Sequence, residues 1–170
     1  MTKIRLIAGA LALAALASAC GSSSSAQAGS SEVTAAEVGL PSKLLGLRLV
    51  EQDIAERLEV LDASYFDALS LFGFRENDEK ETLRAALQVG RFNDLARPDD
   101  PSFVDRIIAQ TGVSIPEEIR VGDHPVYMST GQLQYTFLWF ADDHMYVLNV
   151  RKDYPFSRSM LRKLLEGSLP

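Results

Sequence analysis

This chain is poor in the residues that cross-link small secreted proteins or bind metals. Its 170 residues include one cysteine and two histidines. A single cysteine cannot form a disulfide within the chain, so the fold must depend on a hydrophobic core. The chain also lacks a long apolar run. The run at 6–16 is about eleven residues long, whereas a helix that spans a bilayer needs about twenty, so a membrane-spanning anchor is not expected.

Catalytic signatures are missing as well. No serine lies in a G-x-S-x-G motif, residues 41–170 contain no S-x-x-K motif, and there is no glycine-rich loop of the kind that cradles phosphate. His124 and His144 each follow an aspartate, but their spacing matches no metal signature. Acidic pairs such as Asp99 and Asp100 fit a helix cap better than acid–base catalysis. We therefore expect a protein that is not an enzyme and that has no metal or cofactor.

The start of the chain has the order of a secretory signal. Lys3 and Arg5 stand before or at the beginning of the apolar run, and small residues at 17–19 lead to Cys20. This order resembles the bacterial lipoprotein signal, or lipobox. The resemblance implies a signal peptide at 1–19, and cleavage after it makes Cys20 the first residue of the mature protein and the site of lipid attachment.

One alternative to lipidation is open. Ala17 stands where the lipobox most often has leucine, and residues 17–19 also fit the A-x-A site of ordinary secretion, which would leave Cys20 as a free thiol. An unpaired thiol is a liability in an oxidising compartment. A sulfur that carries a lipid explains both the number and the position of the cysteine, so we favour the lipoprotein interpretation.

The segment after the signal is predicted to be a linker. Residues 20–40 are rich in Ser, Ala and Gly, and have few large apolar side chains. A flexible linker of about twenty residues reaches about 25 Å. Loss of the two basic residues of the signal changes the formal net charge from −6 to −8. This acidic balance argues against binding to nucleic acid or to anionic lipid headgroups.

Residues 41–170 form a single domain by length, with strands predicted from apolar alternation and helices from apolar residues three and four apart. The predicted strands lie at 45–51, 68–75, 83–89, 126–129, 133–140 and 145–151. Helices are predicted at 53–61, 101–111 and 157–166. Gly90 indicates a bulge that would turn Phe92 to the other face of its strand.

The expected fold is an α+β domain, in which an antiparallel sheet of about five to seven strands has helices packed on one face. Residues 138–148, LWFADDHMYVL, are followed by an amphipathic helix. This arrangement resembles the closing unit of small secreted bacterial domains, which occur in uncharacterised envelope lipoproteins and in sensor domains of some anti-sigma proteins. The resemblance implies an envelope setting and supplies no catalytic residues.

Aromatic side chains provide the candidate binding face. Tyr135, Phe137 and Trp139 share one face of the strand predicted at 133–140. Such a face could be one wall of a ligand groove or a protein-binding surface, because Trp and Tyr dominate interface hot spots. It could equally be core under a helix, which is the commoner role. The exposure of Trp139 distinguishes the two.

These features predict a lipoprotein anchored at the outer face of the cell membrane. Its domain is expected to be a non-catalytic binding or interaction module, with an envelope protein as a candidate partner. The alternative is a carrier of a small apolar ligand or lipid, held between the sheet and its helices.

Overall fold

The computed structural model describes residues 32–52, 63–111, 117–122, 124–155 and 157–167. The predicted signal peptide, Cys20 and the helix predicted at 53–61 lie outside the described residues. Residues 32–40, which the sequence places in the linker, pack against the sheet. Val33 and Val38 are 2% and 4% exposed, so packed structure is present well before residue 41.

The strands of the described residues form one antiparallel sheet. The strands are β1 (Lys43–Leu44), β2 (Leu47–Gln52), β3 (Phe66–Arg75), β4 (Leu83–Phe92), β5 (Glu117–Val121), β6 (His124–Thr130), β7 (Gln134–Ala141) and β8 (His144–Arg151). The helices of the described residues are α1 (Pro101–Gln110) and α2 (Ser157–Gly167), besides a 3₁₀ turn at Ala63–Tyr65.

The sheet consists of two four-stranded meanders joined at its centre. The strand order is β1-β2-β3-β4-β8-β7-β6-β5. After β4, the chain passes through α1 to β5 at the opposite edge, and then returns strand by strand until β8 pairs with β4. Leu87 of β4 lies opposite Leu148 of β8, and both side chains are completely buried. This central pairing brings the two halves of the chain into one core.

Both faces of the sheet are apolar and covered. On one face, Phe137, Trp139 and Leu148 pack with side chains of α2 and with Val33 and Val38. On the other, Leu138, Met145 and Val147 pack with Phe103 and Ile107 of α1. Because successive residues of a strand point to opposite faces, β7 and β8 read as continuous apolar runs.

The prediction of an α+β domain with helices on one face is wrong. The fold is dominated by a sheet of eight strands, more than the five to seven expected, and the described residues contain only two short helices. These two helices lie on opposite faces of the sheet. The physical reason is that β7 and β8 have apolar side chains on both faces of the sheet, so a helix is needed on each face to bury them.

The helix predicted at 101–111 is confirmed as α1. The Asp100 carboxylate accepts a hydrogen bond from the Ser102 N–H at 2.9 Å, which caps the first turn, and Pro101 occupies the first helical position. Two further contacts fix the start of the helix: the Asp100 carbonyl accepts from the N–H groups of Phe103 and Val104.

Candidate functional site

Helix α2 forms one wall of a groove. Its apolar side chains recur three and four residues apart, at Met160, Leu161, Leu164 and Leu165, and all are at most 2% exposed. They hold α2 against the sheet face that contains Phe137 and Trp139. Strands β5 and β6 form the other wall, so the groove lies between the helix and one end of the sheet.

The floor of the groove is apolar. Ile119, Val121 and Met128 contribute from the sheet, and Leu161 and Leu165 contribute from α2. The groove measures about 780 Å³ and is open on one side. Pockets of about 300–1,000 Å³ with an apolar lining and a few polar groups are typical of small-molecule sites. The groove therefore has the volume of a small-molecule site, with a lining divided between apolar and charged side chains.

The rim of the groove is charged and rich in arginine. It consists of Glu117, Arg120, His124, Arg158, Arg162 and Glu166. Arg158 and Arg162 lie one helical turn apart on the exposed side of α2. Neither these two nor Arg120 has an ion pair within the part of the chain that the structure describes. The guanidinium groups of Arg158 and Arg162 can therefore bind a carboxylate or phosphate at the mouth of the groove by donating hydrogen bonds to it.

A smaller pocket of about 200 Å³ adjoins the groove. Met128 and Arg158 line both cavities, so the two are neighbours along α2. Tyr135 and Phe137 line the smaller one. The Lys152 ammonium lies 5.4 Å from the centre of the Tyr135 ring, a cation–π contact at the surface. Of the three aromatic residues singled out in the sequence, Tyr135 is thus the one at a cavity and partly exposed.

Trp139 belongs to the core. It is 0% exposed, and its ring stacks on that of Tyr146 with 5.0 Å between centroids and an angle of 3°. Phe137 is 1% exposed and also lines the smaller pocket. The strand face that contains Tyr135, Phe137 and Trp139 therefore runs from a cavity at one end into the interior at the other.

A cluster of polar side chains, called here the Glu37 cluster, holds the N-terminal segment of the described residues, 32–40, on the sheet. The Arg91 guanidinium donates a hydrogen bond to Glu37 at 2.8 Å, and His144 Nε2 lies 3.7 Å from the same carboxylate oxygen. Asp143 contacts His144 Nδ1 at 2.6 Å. Burial raises the pKa of Glu37, but hydrogen bonds from Arg91 and the Thr34 N–H outweigh it, so the pKa is lowered. The cluster ties residues 34–37 to β4 and β8.

Neither the rim of the groove nor the Glu37 cluster has the arrangement of a metal site. Within the described ranges, no group of three or more His, Cys, Asp or Glu side chains could hold an ion. His124 lies on the rim of the groove, whereas His144 lies in the Glu37 cluster. The two histidines thus lie in different environments.

Tyr146 next to this cluster is expected to make stability depend on pH in the alkaline range. Burial raises its pKa to about 12, with further contributions from the charges of Asp142, Asp143 and Glu37. The unfolded chain loses this proton near the ordinary value of 10.0. Between about pH 10 and 12 the folded state binds more protons, so stability falls with rising pH, by about 3 kcal/mol in total.

Tyr146→Phe is the matched control for this prediction, because it keeps the ring that stacks on Trp139. Urea unfolding of both proteins between pH 9 and 12 should show the additional loss only in the unchanged chain. An equal loss in the two proteins would contradict the assignment to Tyr146.

The groove was missed by the sequence analysis. Apolar residues spaced three and four apart correctly predict α2, and the arginines fall on its polar side, but nothing local indicates that β5 and β6 lie beside it. Cys20 lies outside the described residues. Over the ranges that the structure describes, no helix is long and apolar enough to cross a membrane.

A comparison of this chain with protein-family models, with curated proteins and with solved structures finds no match.

Proposed function

We propose that this protein is a bacterial lipoprotein, tethered through Cys20 at the outer face of the cell membrane, whose domain is a non-catalytic binding module. The observation that carries the proposal is the groove between α2 and strands β5 and β6. It combines a volume of about 780 Å³ with an apolar floor and a charged rim. The signal-like first residues and the acidic balance of the chain support the location.

The lining of the groove favours a small apolar ligand over a large polar one. Five apolar side chains converge on it, and burying an apolar surface against them supplies about 25 cal/mol per Å². Arg158 and Arg162 at the rim favour ligands that carry one acidic group. The domain would then bind or carry an amphiphile of the cell envelope. Because residues 32–40 pack on the sheet, the tether is the segment 20–31, and twelve flexible residues have a reach of about 20 Å.

The test is binding of 1-N-phenylnaphthylamine, a neutral apolar probe whose fluorescence rises in apolar surroundings. The full chain should carry Cys20→Ala, because a lipid on the cysteine would compete for the groove. Met128→Gln removes an apolar side chain that lines both cavities. We expect this change to weaken probe binding by about tenfold, since burial of such a side chain contributes about 1.5 kcal/mol.

The control is Leu133→Gln, which makes a comparable change at a side chain that is 82% exposed and outside both cavities. Probe binding should be unchanged in that variant. A chain that binds no probe, or that loses binding equally in both variants, would argue against the groove as the site.

A further inference from the structure

The last strand of the sheet, β5, has one edge with no partner strand among the residues that the structure describes. β5 pairs with β6 on one side and is the end of the strand order on the other. Four consecutive residues at its end, Ile119 to Gly122, line the groove. Since successive side chains of a strand point to opposite faces, such a run indicates that the backbone edge itself borders the groove. An edge of this kind is a template for pairing with another chain.

The charges along β5 are complementary to β5 itself. Its sequence is Glu117-Glu118-Ile119-Arg120-Val121, and Glu118 and Arg120 are both exposed on the same face of the strand. When two such strands pair antiparallel about Ile119, Glu118 of each copy lies opposite Arg120 of the other. The two-fold axis repeats this opposite-charge pair, so it occurs twice.

The charges also select this register over its neighbours. In a continuous antiparallel sheet, side chains directly opposite each other lie on the same face. A two-fold axis perpendicular to the sheet meets this condition only when it passes midway between one residue and the same residue of the second copy. An axis at Glu118 would place two glutamates opposite each other, and an axis at Arg120 would do the same with two arginines. Like charges directly opposite destabilise a strand pair, whereas opposite charges stabilise it.

We propose that β5 pairs antiparallel with β5 of a second copy of this chain, centred on Ile119, to give a dimer with one continuous sheet. On the groove side, Ile119 meets its own symmetry mate, which adds an apolar contact to the charge pairs. The proposal goes beyond the one made for the groove and requires no ligand there, although Ile119 belongs to both.

The test is a charge exchange measured by sedimentation equilibrium of the full chain with Cys20→Ala. Glu118→Arg or Arg120→Glu alone places like charges opposite each other twice in the dimer. We expect each single change to raise the dimer dissociation constant by about tenfold or more. The double variant, Glu118→Arg with Arg120→Glu, restores both pairs, and its constant should return to within about threefold of the starting value.

Glu79→Arg is the matched control, because it makes the same charge change at an exposed turn residue between β3 and β4. It should leave dimerisation unchanged, and circular dichroism should show that all variants fold. A chain that is monomeric at about millimolar concentration overturns the proposal, since edge pairing worth less than about 4 kcal/mol would have no role. Single variants that dimerise as tightly as the unchanged chain, or a double variant that does not recover, overturn it as well.

Discussion

Replacing Trp139 with alanine is expected to lower the free energy of unfolding by about 3–5 kcal/mol, as for other buried aromatic residues. Trp139 is 0% exposed at the centre of the larger core cluster, which α2 and the N-terminal segment cover. Alanine would remove its stacking on Tyr146 and leave a cavity between the sheet and α2. Urea unfolding monitored by far-ultraviolet circular dichroism measures the loss without depending on tryptophan fluorescence.

Two further variants separate burial from other effects. Leu133→Ala removes an apolar side chain that is 82% exposed, and its effect should be within about 0.5 kcal/mol. Trp139→Phe keeps an aromatic ring and removes the indole N–H, which has no hydrogen-bond partner among the described residues. Removing an unpaired buried donor offsets part of the lost packing, so this change should cost roughly half as much as alanine. A Trp139→Ala protein as stable as the unchanged chain would contradict the core position.

The elements that were predicted well are those whose signal is local. The strand predicted at 133–140 is observed at Gln134–Ala141, and the helix predicted at 157–166 at Ser157–Gly167. In each case, apolar spacing within the segment decides the type of element. The cap at Asp100 and Pro101 similarly fixes the start of α1 by contacts between neighbouring residues.

The placement of both helices on one face of the sheet was predicted wrongly, because it depends on distant contacts. The amphipathic patterns of α1 and α2 show that each has an apolar side, but they do not show which face of the sheet receives it. Val147 and Leu148 are adjacent in β8, and one packs toward α1 while the other packs toward α2. An apolar run of this kind fits a strand buried on both faces, which the pattern of one face alone does not reveal.

Gly90 illustrates the same limit at a single residue. The prediction of a bulge there is wrong, because Gly90 keeps regular pairing with Leu69 and Met145. The pairing of β3 with β4 is irregular between Phe66 and Ala68, and again between Phe74 and Arg75. A Cβ atom at position 90 would lie 2.7 Å from the Phe66 ring. The glycine is therefore needed for close approach of a side chain from the next strand, and not for a change in its own backbone.

The groove could not be predicted for a related reason. Its floor combines Ile119 and Met128 with Leu165, which are distant in the sequence. The aromatic residues of β7 attracted the prediction of a binding face, but Phe137 and Trp139 are buried in the core. Arg158 and Arg162 lie at the rim of the groove, but two arginines on the polar side of a helix are also typical of a surface that only contacts water.

Replacing Cys20 with alanine is expected to move the protein from the membrane fraction to the soluble fraction almost completely. Two acyl chains hold a protein stably, at about 0.8 kcal/mol per buried CH₂, and the variant would have none. The apolar run at 6–16 is too short to span the bilayer, and the acidic chain has no charge attraction to anionic headgroups. Nothing else in the sequence is expected to retain it.

The measurement is fractionation combined with labelling by radioactive palmitate, and Ser22→Ala is the control because it changes a neighbouring small residue of the same segment. The control protein should incorporate label and stay with the membrane, whereas Cys20→Ala should do neither. Ordinary secretion predicts an unlabelled, soluble protein even before the change. High salt removes proteins that adhere to the membrane by charge, but it does not remove proteins held by an apolar anchor. A Cys20→Ala protein that stays in the membrane fraction after such a wash would therefore show that an apolar feature other than the lipid anchors the chain.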